Sequence, residues 1–264
     1  MHTIEANGAK IPLIGLGTWD LRGKSCARMV EEALRSGYRH IDTAAMYRNE
    51  DDVGAGLRAS GVPRGEVFIT TKVWSSDLRA RDFERSAHDS LKNLKLDHVD
   101  LLLIHWSNPG IPLKETVGAL CKMKHEGVAR HIGVSNFTPV LIEEAVKLST
   151  EPLVNNQFEL HPYLDQTKTI AATRKAGMSV TAYSPVARGR VTGDALLSRI
   201  GKAHGKTAAQ VCLRYLVQQD IVVIPKTSRS ERLKENSAIF DFQLAPAEMK
   251  DIAALASPHG RIVS

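Results

Sequence analysis

A single (β/α)8 TIM barrel is the fold this chain predicts, and three observations predict it. Short β-branched apolar runs alternate with longer amphipathic ones along the whole length. Several runs are continuously apolar, as in Val99-Asp100-Leu101-Leu102-Leu103-Ile104, which is how a parallel strand buried on both faces should look. Eight units in 264 residues leave about 33 residues per unit, the size of one strand–helix pair in such a barrel.

Taken in order, the short apolar run Ile14 to Leu16 opens the series, and the amphipathic Ala27 to Ser36 follows it. The second strand is His40 to Thr43. The third, Val67 to Lys72, precedes a helical pattern at Phe83 to Leu94. Val99 to His105 is the fourth strand and leads to the helix Leu113 to His125. His131 to Ser135 is then followed by the helix Val140 to Leu148. Val154 to Phe158 and Ser179 to Tyr183 are the sixth and seventh strands. Helix Thr207 to Gln218, strand Ile221 to Ile224 and helix Ser230 to Ile239 complete the pattern. No linker or low-complexity stretch interrupts it, so residues 1–264 read as one domain.

Composition excludes several function classes. At 43% hydrophobic and 24% charged, the chain is of the soluble globular type. The net charge of +6 and pI near 9.2 come from basic residues spread along the chain among acidic ones. Without a Lys/Arg block there is no nucleic-acid patch, and the surplus is read as serving anionic ligands at one mouth of the fold. Cys26, Cys121 and Cys212 lie far apart with no metal-ligand spacing, as expected of reduced thiols in the cytoplasm; no metal site is expected. The opening Met1-His2-Thr3-Ile4-Glu5 is no signal peptide, and no apolar run approaches the roughly 18 residues of a membrane span.

Four motifs carry chemistry. Gly37-Tyr38-Arg39-His40-Ile41-Asp42-Thr43-Ala44-Ala45-Met46-Tyr47 places an acid and a phenol five residues apart; Ile69-Thr70-Thr71-Lys72 and Leu103-Ile104-His105-Trp106 each end a predicted strand. Ile224-Pro225-Lys226-Thr227 then leads into Arg232-Leu233-Lys234-Glu235-Asn236. Together these segments closely resemble the signatures of the aldo-keto reductase family, barrel enzymes that move hydride from NADPH to aldehydes and ketones. The resemblance runs from about Gly15 to Arg261. It implies a short hairpin around Lys10-Ile11-Pro12-Leu13 over the barrel floor, extra C-terminal helices, and a monomer.

Hydride addition to a carbonyl leaves an alkoxide, so the site must deliver a proton as negative charge develops on oxygen. A phenol with pKa about 10 is a reluctant donor, which an adjacent ammonium should make more acidic, while a carboxylate keeps that ammonium charged and in place. On this basis Tyr47 is the expected general acid, Lys72 its tuner and Asp42 the partner of Lys72, with His105 aiming the carbonyl through Nε2. Singly each residue has a plainer role: a turn acid, a packed phenol, a solvated lysine. Their joint occurrence in family order favours catalysis. His40 and His161 are read as structural.

The nucleotide must be held without a Gly-x-Gly-x-x-Gly turn, since Gly15-Leu16-Gly17-Thr18-Trp19 lacks that fingerprint. Lys226, Thr227, Ser228 and Arg229, with Arg232, Glu235 and Asn236, lie after the last strand at a helix start, where backbone donors, the dipole and three cations suit a phosphate. A dianionic 2′-phosphate fits better than a ribose hydroxyl, which favours NADPH. The resemblance further implies that Ser135, Asn136 and Gln157 bind the nicotinamide carboxamide and that Tyr183 stacks on its ring. It also implies that Ser184, Val186 and Arg188 line the pyrophosphate, and that Gly17, Thr18 and Trp19 touch the cofactor. Arg188 and Arg190 stand where small residues are common, a departure from many relatives.

Trp19, Trp74 and Trp106 look like aromatic walls of a substrate pocket. The short Ser107-Asn108-Pro109-Gly110-Ile111-Pro112 segment, and only four residues after Gly260, imply a more open pocket than in animal relatives with a long tail. Small aldehydes, dicarbonyls or keto sugars are therefore the expected substrates, and the ending Gly260-Arg261-Ile262-Val263 resembles the bacterial branch that includes 2,5-diketo-D-gluconate reductases. A lyase using Lys72 as a Schiff base leaves the phosphate segment without a role. A non-catalytic NADPH sensor or structural protein leaves the complete proton-donating set without one.

Overall fold

Asn7 and Gly8 both take positive φ (45° and 86°), the turn for which Asn-Gly is suited, and they join β1 (Thr3–Ala6) to β2 (Ala9–Pro12) in an antiparallel hairpin. In the computed structural model, which describes residues 2–263 and leaves Met1 and Ser264 outside the description, this hairpin is pinned by the Asn7 amide. Its Nδ2 donates to the carbonyls of Leu153 (2.7 Å) and Ala176 (3.2 Å). Ala9, Ile11 and Leu13 then pack with Phe68, Leu101, Val154 and Ile221, so the hairpin covers the end of the sheet at which strands begin.

Eight parallel strands follow in chain order: β3 (Leu16–Gly17), β4 (His40–Asp42), β5 (Phe68–Val73), β6 (Val99–Ile104), β7 (Ala129–Ser135), β8 (Leu153–Glu159), β9 (Ser179–Tyr183) and β10 (Ile221–Val223). The sheet closes on itself beside β3. Gly15 N donates to Val223 O (2.9 Å), Val223 N to Leu13 O (2.9 Å) and Gly17 N to Pro225 O (3.2 Å). A glycine is required at this seam, because a Cβ on Gly17 would lie 2.7 Å from the Ile224 carbonyl. The predicted eight-stranded barrel and hairpin are the observed fold.

Around it run α1 (Gly23–Arg35), α2 (Glu50–Ser60), α3 (Ala80–Leu94), α4 (Leu113–His125), α5 (Pro139–Leu148), α6 (Thr167–Lys175), α7 (Ala195–His204), α8 (Ala208–Val217), α9 (Ser230–Ser237) and α10 (Pro246–Ala253). Three of these, α2, α6 and α7, had no counterpart among the predicted helices, while α10 is one of the expected extra C-terminal helices. The α2 sequence shows why: Gly54 and Gly56 lie where an added Cβ would come within 2.2 Å of the Leu94 carbonyl and 2.4 Å of the Ala27 carbonyl. Close helix approach here uses glycines, and glycines weaken an apolar stripe.

Side chains facing into the barrel form tiers. On β8, Asn155 donates to Ser179 Oγ and Thr181 Oγ1, both at 2.8 Å, and His40 Nε2 lies 3.0 Å from Thr70 Oγ1. Two residues further along these strands are Gln157, Asp42 and Lys72, so alternation brings the next tier to the C-terminal mouth.

Candidate active site

Lys72 and Asp42 end up fully desolvated because β4 and β5 are neighbours whose inward residues meet at the mouth. Their side chains are 0% and 2% exposed, with Lys72 Nζ 2.5 Å from Asp42 Oδ1. A second bond runs from Nζ to the Thr43 carbonyl (2.7 Å), and Gln157 Nε2 donates to Asp42 Oδ2 (2.7 Å). The charges therefore have partners on both sides, as a buried pair requires. Gln157 thereby joins the Asp42–Lys72 pair, an arrangement not evident from its sequence motif, and its Oε1 stays available to a ligand.

Tyr47 reaches the same point from a 3-10 turn, Ala45–Tyr47, directly after β4. Its ring is half-buried, with Lys72 Nζ 5.1 Å from the centroid and the rings of Trp19 and His105 edge-on at 5.1 and 5.8 Å. Trp74 meets His105 edge-on at 5.0 Å, and half-buried Trp106 follows it in the chain. Trp19, at 46% exposure, stands at the rim. The four expected proton-handling residues and two of the three tryptophans are thus in mutual contact.

Electrostatics refine the expectation for the phenol. Burial pushes the Tyr47 pKa well above its ordinary value and the Asp42 carboxylate pushes it further up. The anticipated lowering by Lys72 is therefore outweighed in this state, and Tyr47 remains a protonated donor. Burial also lowers Lys72, opposed by Asp42. His105 is pushed down to about 2 by burial and then by the Lys72 charge, so the imidazole is neutral. Its Nδ1 is sealed in without a hydrogen-bond partner, which leaves Nε2 as the nitrogen facing the cleft.

The remaining predicted residues divide into two groups. Ser135, Asn136 and Tyr183 are linked near the mouth: Asn136, with φ of 60°, donates through Nδ2 to the His105 carbonyl and to Ser135 Oγ (both 3.0 Å), and it accepts from the Tyr183 hydroxyl (2.9 Å). Ser184, Val186 and Arg188 follow in a strained loop in which Ser184, Ala187 and Arg188 take φ of 50°, 48° and 51°. Arg190 is turned onto the Tyr163 ring at 4.4 Å.

The second group surrounds the start of α9, whose cap residue Arg229 makes no side-chain cap; Arg232 N donates to the Arg229 carbonyl (3.1 Å), which leaves the Ser230 and Glu231 amides free. Buried Thr227 accepts from Arg229 N (3.0 Å); Lys226, Ser228 and Arg229 are exposed. Lys226 Nζ is 4.0 Å from Asp20 Oδ2, beside Gly17 and Thr18 across the barrel seam. Arg232 Nη1 donates to both carboxylate oxygens of Glu235 (2.9 Å each), and Glu235 also accepts from Thr207.

One supporting residue was missed. Buried Asn49 donates to the carbonyls of Thr18 and Leu21 (both 2.9 Å) and accepts from Thr43 Oγ1 (3.0 Å), tying the loop after β3 to the loop that carries Tyr47. Its only sequence signal was its place before the acidic start of α2.

Three comparisons bear on this geometry. Residues 13–257 match the model of the Aldo/keto reductase family. A methylglyoxal reductase (DkgB) of Escherichia coli O157:H7 is 40% identical over 248 residues, covering 93% of each chain. A crystal structure whose assignment as a 2,5-diketo-D-gluconic acid reductase B is provisional has 50% identity and a TM-score of 0.98, over 100% of this chain and 94% of that one. A Bombyx mori aldo-keto reductase in complex with NADP has 34% identity and a TM-score of 0.93, over 100% and 95%. With the barrel, its capping hairpin and the family match extending over nearly the whole length, the chain belongs to the aldo/keto reductase family.

Proposed function

We propose that this protein reduces small aldehydes, dicarbonyls or keto sugars to alcohols with NADPH. The buried Asp42–Lys72 pair beneath a protonated Tyr47, beside a neutral His105, carries the proposal. The phosphate segment fits the nucleotide: the free Ser230 and Glu231 amides at the start of α9, with exposed Lys226 and Arg229 beside them, suit a phosphate, and the Arg232 side chain lies close by on the same helix. The E. coli relative's name supports a dicarbonyl substrate, and the NADP complex of the insect protein supports the cofactor.

When bound, the nicotinamide supplies a hydride to the carbonyl carbon. His105 Nε2 donates to the carbonyl oxygen and fixes its direction, while the Tyr47 hydroxyl gives up its proton as charge grows there. Lys72, held charged by Asp42, stabilises the phenolate left behind. Ser135, Asn136 and Gln157 provide the polar groups for the carboxamide, and Tyr183 the ring for stacking. Ser184, Val186 and Arg188 would line the pyrophosphate. Three buried unpaired thiols support a cytoplasmic protein, and we take it to act as a monomer. Among the described residues no helix is long and apolar enough to cross a membrane.

Following NADPH absorbance with a panel of these carbonyls, and repeating with NADH, tests the proposal. Tyr47→Phe should lower kcat by roughly 10²–10⁴-fold while NADPH still binds. Tight NADPH binding without turnover by the native protein would indicate the sensor instead.

A further inference from the structure

Glu159 is a fully buried carboxylate with no part in the proton-handling set, yet it is placed by the same alternation. It is the third inward residue of β8 after Asn155 and Gln157, and it pairs in register with Tyr183. One pleat repeat is about 7 Å, so Glu159 stands that far above the tier where Gln157 meets Asp42, on the side from which a substrate enters. Its oxygens receive backbone donors from the other end of the chain: Ile262 N at 2.7 Å on Oε1 and Val263 N at 3.1 Å on Oε2. His161 Nε2 lies 3.0 Å from Oε1, and half-exposed Arg261 approaches Oε2 at 3.9 Å.

The path leading to those amides is also built. Ser257 N donates to Tyr163 O (3.1 Å), Asp165 N to Ser257 O (3.1 Å) and Gly260 N to Ser257 O (3.1 Å). Gly260 passes so close that a Cβ would fall 1.8 Å from the Tyr163 carbonyl, and Ile262 packs on the cluster containing Tyr163, Val191 and Leu197. Two amide bonds to a buried charge are worth more than neutral ones and are concentrated on a segment with no helix or strand.

We infer that Glu159 is a positioning residue for carbonyl reduction, a latch that holds residues 260–263 across the substrate entrance. It acts through the tail and not on the reacting atoms. Burial alone would raise its carboxyl, but bonds from His161, Ile262 and Val263 outweigh burial and hold it below the usual carboxylate range. The tail is thus anchored by an ionised group. Loss of the latch therefore weakens substrate capture and leaves the proton donor in place.

The kinetic arm of the test rests on the reductase function proposed above; the exchange arm does not. Glu159→Gln, a chain ending at Gly260, and the combination of the two are compared with the native protein. Glu159→Gln and the shortened chain should each raise the carbonyl KM roughly ten-fold, with kcat and NADPH Kd within about two-fold, and the combination should be no worse than the shortened chain alone. By NMR, the amides of Ile262 and Val263 should exchange slowly in the native protein and quickly in Glu159→Gln. Unchanged KM, effects that multiply, or exchange that Glu159→Gln leaves alone would overturn the latch. Should Glu159→Gln fail to fold, the shortened chain decides by its KM. A native protein without turnover refutes the reductase function, and exchange then decides the latch.

Discussion

Asp42→Asn isolates what the buried charge pair contributes. The substitution keeps the size of the side chain but leaves the Lys72 ammonium, 0% exposed, with the Thr43 carbonyl and a neutral amide in place of a carboxylate. Lys72 can respond by losing its proton. From a pKa of about 10.4, neutralising a lysine at pH 7 costs about 4.6 kcal/mol, which is a ceiling on the damage. The floor is the loss of one charge-assisted hydrogen bond, about 1.5–3 kcal/mol. The range of about 3–5 kcal/mol found when one partner of a buried pair is removed overlaps the upper part of this interval. At roughly 3 °C per kcal/mol for a chain of this size, the melting temperature should fall by about 10 °C. Urea unfolding of Asp42→Asn, Lys72→Met and the double variant measures the coupling directly. Lys72 has a lowered pKa in the fold, so the unfolded chain binds more protons and the stability of Asp42→Asn should rise with pH up to the free lysine value. A single-variant loss below about 1 kcal/mol, or additive effects in the double variant, would refute the view that the pair is desolvated and interdependent.

His40, pushed down to about 4 by burial in the barrel interior, stays neutral in the fold while the unfolded chain takes up a proton near pH 6.5. Stability should therefore fall as pH drops from about 6.5 to 4, and urea midpoints of His40→Asn across that window should show a shallower decline. Gly54→Ala should cost at least about 1–3 kcal/mol in chemical denaturation, because its Cβ would meet the Leu94 backbone at 2.2 Å and not a side chain that can turn away. An unchanged midpoint would mean that α2 and α3 shift apart freely.

How much could be read beforehand followed physical lines. Strands such as Val99–Ile104 were legible because burial on both faces demands continuous apolar residues. Helix α6 was not, since among its nine residues only Thr173 is buried. Asp42, Tyr47, Lys72 and His105 were legible as candidates because strand ends converge in a barrel, and the structure brings them together. The bond from Gln157 to Asp42 joins residues 115 positions apart and depends on the inward phase of β8, which Leu153-Val154-Asn155-Asn156-Gln157 does not reveal by polarity. The same holds for Glu159 and the amides it accepts, whose pairing depends on where the chain's last residues cross the mouth.

The seam between Gly15 and Val223 also sets an order of events. Its bonds join positions about two hundred residues apart, and β10 is the last of the eight barrel strands to be synthesised. Until it arrives, the growing sheet from β3 to β9 has two open edges, each a row of unpaired amides and carbonyls able to recruit another nascent chain. The seam is among the most non-local contacts in the chain, and its closure is the step that removes both open edges. Weakening the seam at Gly17 should reduce soluble yield in cells more than it lowers the melting temperature of the protein that does fold.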